Sequence, residues 1–173
     1  MKKLILLMIM IMAMPVQAEW VTAESGLRVR EHPTTYSKTV EIVPYGTEIA
    51  IVDDEPIKGW ARVKNGYMSR EWLSKDNPQD GMELLGTWKI TAYAWTGYPC
   101  ANGNYPTTGY TVACNSLPFG TRVYIEGVGF RTVEDTDGGA MGNEWLDLYL
   151  GDTASCIQWG MQYRKVWRVK DEK

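Results

Sequence analysis

The chain has 173 residues, which is enough for one domain or for two small ones. Its 18 basic and 21 acidic residues give a formal net charge of −3, and this balance argues against nucleic acid as a partner because nucleic-acid binders carry basic patches. The chain also holds eight Trp and ten Tyr. Their flat rings suit either a small aromatic core, which is the default for each ring, or stacking on sugar rings.

The first element is a short apolar segment at the N-terminus. Two lysines precede an unbroken apolar run over residues 4–14, which is shorter than the roughly 20 residues of a membrane-spanning helix. Ala18 fits the residue before a signal-peptidase site, with cleavage ahead of Glu19. We therefore expect residues 1–18 to be a secretory signal peptide, with no stable membrane insertion, and a retained anchor is the weaker alternative. The expected location is the cell wall or the extracellular or periplasmic space.

A first β-rich segment follows over residues 21–74. Apolar and polar residues alternate over residues 27–30, 48–52 and 60–63, and turn-forming residues separate these pieces. The pattern predicts a meander of small strands. The next stretch, residues 75–84, is polar and is interrupted by Pro and Gly, which is typical of a linker.

A second β-rich segment covers residues 85–170, where glycine-marked turns divide six short strands. The predicted strands are residues 88–93, 111–114, 121–126, 130–134, 145–150 and 165–169. Residues 153–159 predict one short helix, with Asp152 or Thr153 as its N-cap. Six short strands around one helix indicate a closed barrel.

All three cysteines lie in this second segment. In an oxidising compartment two of them are expected to pair. Cys100 and Cys114 flank a loop rich in Gly, Asn, Tyr, Pro and Thr, and a disulfide there would brace that loop. We predict this pairing. Cys156 is then a buried free thiol, or it is the true partner of one of the other two.

The first segment carries five motifs in a characteristic order. They are Ser-Gly-Leu-Arg-Val-Arg at 25–30, Tyr-Ser-Lys-Thr-Val at 36–40, Pro-Tyr-Gly-Thr-Glu-Ile at 44–49, Gly-Trp-Ala-Arg-Val at 59–63 and Asn-Gly-Tyr-Met-Ser-Arg-Glu-Trp-Leu at 65–73. Together they resemble a bacterial SH3 (SH3b) domain. The resemblance implies a small SH3-like barrel, with Trp60 and Val63 facing its core and a turn at Gly46. It also implies binding to cell-wall glycans or stem peptides, although many such domains are spacers.

The single histidine, His32, belongs to this first segment. A serine, cysteine or zinc peptidase normally needs a histidine near its catalytic centre. The second segment has none, which argues against a peptidase there.

The most informative stretch for chemistry is residues 133–149. One strand ends in acidic residues, a Gly-Gly turn follows, and the next strand carries Asp147 between two leucines. By alternation the two leucines face one side of the strand, while Asp147, Trp145 and Tyr149 face the other. An aspartate flanked by aromatic rings resembles a sugar-binding cleft.

This stretch, with Ile-Thr-Ala-Tyr-Ala at 90–94, Leu-Pro-Phe-Gly-Thr-Arg-Val at 117–123 and residues 154–169, resembles the 3D domain, a family named for three aspartates. The resemblance implies a six-stranded double-psi β-barrel, similar to the catalytic part of certain lytic transglycosylases. It further implies cleavage of peptidoglycan glycan strands between N-acetylmuramic acid and N-acetylglucosamine. One carboxylic acid serves as acid and then as base, and no cofactor or metal ion is implied.

The position that matches the family's catalytic acid is Asp147, and burial among aromatic rings would raise its pKa. The second aspartate of the family falls at Asp135, or at Asp137 if that residue takes its place. We favour Asp135, with a role in supporting or orienting Asp147. The candidate substrate-binding residues are Asn115, Gly138, Gly139, Trp145 and Tyr149.

The chain departs from the family's pattern in two places. Asn115 stands where the first aspartate is expected, and no lysine follows the Gly-Gly-Ala sequence. The alternative function is therefore a non-catalytic cell-wall-binding protein with a degenerate barrel site. The acidic residues 134–137 have two further interpretations, a solvated turn and a calcium loop. The loop at residues 97–109 is either a surface loop or a wall of the glycan cleft, through Tyr98, Tyr105 and the adjoining Tyr110.

Overall fold

The structure is a computed structural model that describes residues 17–52, 57–139 and 141–170. Most of the predicted signal peptide, residues 1–16, lies outside the described residues. In the described part of the chain, no helix is long and apolar enough to cross a membrane. Strands form most of the regular structure, as the alternating sequence predicts.

The N-terminal part is built from seven short strands in two sheets. They are β1 (Gln17–Val21), β2 (Leu27–Arg30), β3 (Thr39–Val43), β4 (Glu48–Ile51), β5 (Trp60–Val63), β6 (Gly66–Ser69) and β7 (Leu73–Ser74). One sheet has the order β4-β1-β7 and the other the order β3-β2-β6-β5. Their inner faces form a small core of Val21, Leu27, Val29, Ile51, Ala61, Val63 and Met68.

The side chains of β5 correct one prediction about this core. Val63 is buried as expected, and Ala61 is buried beside it. Trp60 is half-buried, lies outside the core cluster and pairs with Ser69 across the sheet. Because side chains alternate along a strand, Trp60 and Val63, three residues apart, cannot share a face. Trp60 instead lines an outer cleft of about 780 Å³.

The C-terminal part is a closed six-stranded barrel with one short helix, as predicted. Its strands are β8 (Met82–Ala94), β9 (Thr111–Ala113), β10 (Arg122–Ile125), β11 (Gly129–Asp135), β12 (Trp145–Gly151) and β13 (Gln162–Val169). They close in the order β10-β11-β9-β12-β8-β13. Two neighbouring pairs, β9 with β11 and β8 with β12, are parallel.

The helix α1 (Thr153–Trp159) follows β12 directly. Its N-cap is Asp152, whose side chain accepts a hydrogen bond from the Ser155 amide at 2.9 Å. Asp152 thus satisfies an amide that has no partner within the helix. The Ser155 hydroxyl donates to the other carboxylate oxygen of Asp152 at 2.6 Å, and this bond, followed by the amide hydrogen bond, lowers the pKa of Asp152.

The predicted disulfide between Cys100 and Cys114 is wrong, because all three cysteines are free thiols. Cys114 belongs to the barrel core, and its Sγ lies 3.5 Å from the Ser116 hydroxyl. Cys100 lies instead beside the Tyr93 hydroxyl. The two thiols therefore face different surroundings. Cys156 lies half-buried on α1.

The two parts of the chain pack against each other through aromatic rings. The Tyr45 ring lies 4.9 Å from that of Tyr124 and 5.4 Å from that of Phe130, measured between centroids. Beside them, Arg122 of β10 forms an ion pair with Glu24 at 3.3 Å. The SH3-like part thus contacts the barrel through a defined set of side chains.

The segment that joins the two parts is also packed. The Tyr45 hydroxyl donates a hydrogen bond to the Pro78 carbonyl at 3.0 Å. Strand β8 begins at Met82 and so includes the last three residues of the predicted linker, residues 75–84.

Candidate active site

Three neighbouring strands bring two aspartates to the same level of the barrel. Ala113 of β9 is the register partner of Asp135 in β11 on one side and of Asp147 in β12 on the other. Adjacent strands lie about 4.8 Å apart, so the two aspartate backbones are separated by roughly 10 Å. The sheet itself, rather than a loop, sets this separation.

A short hydrogen-bond relay orients the Asp147 carboxyl. The Thr91 hydroxyl donates to Asp147 Oδ1 at 2.6 Å, and the Trp145 indole N–H donates to Thr91 Oγ1 at 2.7 Å. Because Thr91 has one hydroxyl proton and its oxygen accepts from Trp145, that proton is directed at Oδ1. The other carboxyl oxygen, Oδ2, is thus the one on which Asp147 would carry an acidic proton.

The surroundings of Asp147 raise its pKa above the usual range of an aspartate. Burial is the largest cause, and the nearby charges of Asp137 and Asp135 act in the same direction. The Thr91 hydrogen bond and the charge of Lys89 act against it. The net effect favours the protonated acid, which is the form that a proton donor needs.

Strands β8 and β12 form the floor of the site through three cross-strand pairs. In register order these are Lys89 with Trp145, Thr91 with Asp147, and Tyr93 with Tyr149. The Lys89 ammonium lies 3.1 Å from the centroid of the Trp145 ring, a cation–π contact. The β8 members of these pairs were missed by the sequence reasoning. Their alternate spacing was the available signal, but it does not reveal which strand they face.

Tyr149, one of the candidate substrate-binding residues, is largely covered by its neighbours. It is only 9% exposed, and its ring packs 5.4 Å from that of Tyr93. Its ring therefore supports the floor. Trp145 is more open, since it is half-buried.

Asp135 is held by three hydrogen-bond donors. Its carboxylate accepts from the Tyr93 hydroxyl at 3.1 Å, from the Ala101 amide at 2.9 Å and from the Thr136 amide at 2.9 Å. Burial, followed by the charge of Asp135, raises the pKa of Tyr93, so Tyr93 remains a donor. Asp135 is thus held in place by β8 and by the loop that follows it, and its charge contributes to the raised pKa of Asp147.

Asp137 and Asn115 bind each other above this level. The Asn115 side-chain amide donates to Asp137 Oδ1 at 2.6 Å and to the Met141 carbonyl at 3.3 Å. The Asp137 backbone amide donates back to Asn115 Oδ1 at 3.3 Å. Both amide protons of Asn115 are therefore engaged in holding the turn, and toward a substrate its side chain could act only as an acceptor.

The turn itself contains Gly138 and Gly139, both exposed and both with a positive φ, of 73° and 107°. The space beside both glycines is open, because a Cβ atom at either position would have no atom of a non-adjacent residue within 4 Å. The backbone of this turn is accessible next to Asp137. Among the described residues, no group of three or more His, Cys, Asp or Glu side chains is placed to hold a metal ion.

The fold and the site define a two-domain protein, in which a small SH3-like barrel is joined to a six-stranded barrel with an acidic site. Residues 25–78 match the bacterial SH3 domain, and residues 110–170 match the 3D domain. The chain therefore belongs to the bacterial proteins that combine an SH3 domain with a 3D domain, as its motifs predicted. These two domains are typical of cell-wall-associated proteins.

Comparison with curated proteins gives a relative with a similar sequence. The chain is 34% identical over 94 residues to a protein named B-enzyme from Bacillus subtilis. The match covers 41% of this chain and 80% of that relative. No solved structure matches the chain.

Proposed function

We propose that this protein is a secreted peptidoglycan lytic transglycosylase that uses Asp147 as its single acid and base. The observation that carries the proposal is the state of Asp147, which is half-buried and oriented by Thr91 with a raised pKa. A carboxyl group in such surroundings can hold a proton and donate it.

The proposed reaction begins with proton transfer from Asp147 Oδ2 to the glycosidic oxygen between N-acetylmuramic acid and N-acetylglucosamine. The bond from C1 of the muramoyl residue to that oxygen breaks, and positive charge develops at C1 and the ring oxygen. The fixed carboxylates of Asp135 and Asp137 favour this charge electrostatically. Burial first, and then these two charges, raise the pKa of Asp147, so in the proposed reaction the carboxyl group keeps its proton until it meets the glycosidic oxygen.

The second step returns the enzyme to its starting state. The Asp147 carboxylate accepts the proton of the muramoyl 6-hydroxyl, while the oxygen of that hydroxyl bonds to C1 and closes a 1,6-anhydro ring. No water is consumed, and one proton enters and leaves Asp147. Lys89, whose charge lowers the pKa of Asp147, would stabilise the carboxylate between the two steps.

We propose that the SH3 domain holds the enzyme on the wall through stem peptides. Its outer cleft includes Trp60, Trp72, Arg28 and Arg30. Aromatic faces and arginine side chains suit the apolar and carboxylate groups of short peptides.

A second candidate function is that of a non-catalytic wall-binding protein. The observation that favours it is Asn115, which stands where the family's first aspartate is expected and spends both amide protons on Asp137 and Met141. A neutral amide cannot supply the charge of an aspartate.

One digestion experiment separates these functions. Purified protein without residues 1–18 is incubated with peptidoglycan, and the soluble products are analysed by mass spectrometry. We expect 1,6-anhydro-muropeptides from the native sequence and at least a hundredfold loss with Asp147→Asn. Asp76→Asn, an exposed aspartate ahead of the barrel, is the matched control and should keep full activity.

Three results would contradict the proposal. No product from the native sequence would favour the wall-binding protein, and products with reducing ends would make the enzyme a hydrolase. An Asp147→Asn variant with unchanged activity would place the acid elsewhere.

A further inference from the structure

A loop of unusual composition connects β8 to β9. Residues 95–109 contain no Asp, Glu, Lys, Arg or His, yet three large aromatic side chains on it are exposed. Trp95 is 45% exposed, Tyr98 is 75% exposed and Tyr105 is 73% exposed. Contiguous exposed apolar surface marks interaction or ligand-binding sites. The loop also precedes the 3D-domain match at residues 110–170, so it is a feature of this chain beyond the matched family region.

Hydrogen bonds fix this loop to the acidic strand. The Ala101 amide donates to Asp135 Oδ1 at 2.9 Å, and the Asn104 side-chain amide donates to Glu134 Oε1 at 2.9 Å. At the start of the loop, the Trp95 amide donates to the Gly151 carbonyl at 3.1 Å. A loop that is already ordered loses little conformational entropy when it binds a ligand.

Two of the exposed rings form a pair. Trp95 and Tyr105 have ring centroids 6.0 Å apart, and their planes meet at 40°. They therefore present a shallow aromatic surface rather than two separate side chains. The same loop also carries exposed residues with amide and hydroxyl groups, among them Asn104, Thr107 and Thr108.

The chemistry of this surface selects one class of ligand. The loop itself carries no cation to neutralise phosphates. The two carboxylates that contact it, Asp135 and Glu134, are engaged by hydrogen bonds from Ala101 and Asn104, so the loop offers no free charge of its own to a charged peptide. Aromatic rings with neutral amides and hydroxyls suit pyranose rings, whose C–H faces are apolar and whose hydroxyl and acetamido groups form hydrogen bonds.

We infer that Trp95 and Tyr105 form a sugar-binding subsite for an N-acetylhexosamine unit of the glycan strand. The identity of the polymer rests on the proposed function. Along the strands, Trp95 lies four residues beyond Thr91, the partner of Asp147, which corresponds to roughly 13 Å. The subsite thus binds a sugar near the bond that is cut, but not at that bond, so it contributes to substrate affinity rather than to the chemical step.

Binding is measured without cleavage by placing each variant in the Asp147→Asn background. Calorimetry with an oligomer of β-1,4-linked N-acetylglucosamine reports Kd for Asp147→Asn alone and with Trp95→Ala or Tyr105→Ala. We expect each alanine substitution to raise Kd about three- to tenfold, the loss typical of one aromatic contact, and Trp95→Phe to recover part of it. Tyr36→Ala, which removes a 98% exposed ring from the SH3 domain, should leave Kd unchanged.

An unchanged Kd in both barrel variants would overturn the inference, provided that their circular dichroism spectra match that of the parent. Failure of the Asp147→Asn parent to bind the oligomer would overturn the inference too. So would alanine variants that bind a stem peptide more weakly but bind the oligomer as the parent does. These results are independent of turnover. Loss of oligomer binding in Trp95→Ala would support the subsite even if the native protein released no anhydro product.

Discussion

Thr91 is a small residue on which the orientation of the proposed acid depends. Its hydroxyl oxygen accepts a hydrogen bond from the Trp145 indole, and its hydroxyl proton is donated to Asp147 Oδ1. The orientation of the carboxyl group therefore depends on the position of the indole ring. A residue with this role does not touch the substrate. It acts by leaving Oδ2 as the oxygen that exchanges protons.

Thr91→Val keeps the shape of the side chain and removes the relay. We expect kcat to fall about 10- to 100-fold, since small errors in the placement of an acid cost that much, with a smaller change in KM. The lost hydrogen bond normally lowers the pKa of Asp147, so the alkaline limb of the kcat profile should move to higher pH. Thr91→Ser should restore both, whereas an unmoved pH profile in Thr91→Val would show that Thr91 has only a packing role.

Asp147 also makes a prediction about stability. Its pKa is raised in the folded chain, so the fold binds the proton more tightly than the unfolded chain does. The penalty for the ionised form is absent below the unfolded value of about 3.9, grows as the pH rises toward the folded pKa and is complete above it. Asp147→Asn removes the charge and with it the penalty.

We expect the Tm of Asp147→Asn to exceed that of the native sequence by about 2–4 °C at pH 7, the scale of a typical stability–function trade-off. The difference should vanish near pH 3. Calorimetric scans at both pH values check this, with Asp76→Asn as control. A lower Tm for Asp147→Asn at pH 7 would show that the carboxylate stabilises the fold.

At this scale the sequence revealed some residues of the candidate site and concealed others. Asp147 stands out locally as one acid between two leucines, and the resemblance to the 3D domain gives it the proposed role of acid. Lys89, Thr91 and Tyr93 could not be found in this way, because they join the site only through the parallel register of β8 and β12. That register depends on closure of the whole barrel and has no local signal. The disulfide prediction failed for a related reason, because two cysteines that flank the same loop in sequence need not be neighbours in the fold. Cys100 and Cys114 lie in different surroundings.

At the scale of elements, alternation was a sound guide to strands and a poorer one to packing. The six barrel strands and α1 lie where the pattern predicts them, with ends that differ by a few residues and a longer β8. The prediction placed Trp60 in the core on the basis of its large apolar side chain, and it ignored the alternation of side chains along the strand. Alternation along β5 puts Ala61 inside and the larger Trp60 outside.

Strand β6 provides a test of one such approach. Gly66 begins this strand with a φ of 152°, and a Cβ there would lie 2.3 Å from the Arg30 carbonyl oxygen. We expect Gly66→Ala to destabilise the SH3 domain by about 2 kcal/mol, which lowers its Tm by roughly 5 °C.

Thermal unfolding followed by circular dichroism measures the effect. Gly81→Ala is the matched control, because no atom lies within 4 Å of its built Cβ and its φ is not positive. Equal Tm values for the two variants would mean that β6 can shift away from β2 at little cost.

At the scale of the whole molecule, the contact between the two domains decides how they act together. Tyr45 packs on Tyr124 and Phe130, and Glu24 pairs with Arg122. An exposed ion pair contributes little, so the aromatic rings are expected to supply most of the interaction.

Tyr45→Ala should therefore uncouple the domains without unfolding either. We expect one cooperative unfolding transition in the native sequence and two in the variant, together with a larger radius of gyration in solution scattering. Tyr36→Ala serves as the control because its ring contacts neither domain core. A single transition and an unchanged radius in Tyr45→Ala would assign the coupling to other contacts.

The hydrogen bond from Tyr45 to Pro78 limits how far the barrel can move from a bound SH3 domain. A flexible linker would let one anchored copy reach many glycan strands. The contact at Tyr45 instead keeps the SH3 domain and the barrel at a constant distance from each other. Each binding event would then expose only the few bonds within one molecular length. For the proposed transglycosylase, the spacing of cuts along the wall would then follow the rate at which the SH3 domain dissociates and binds again.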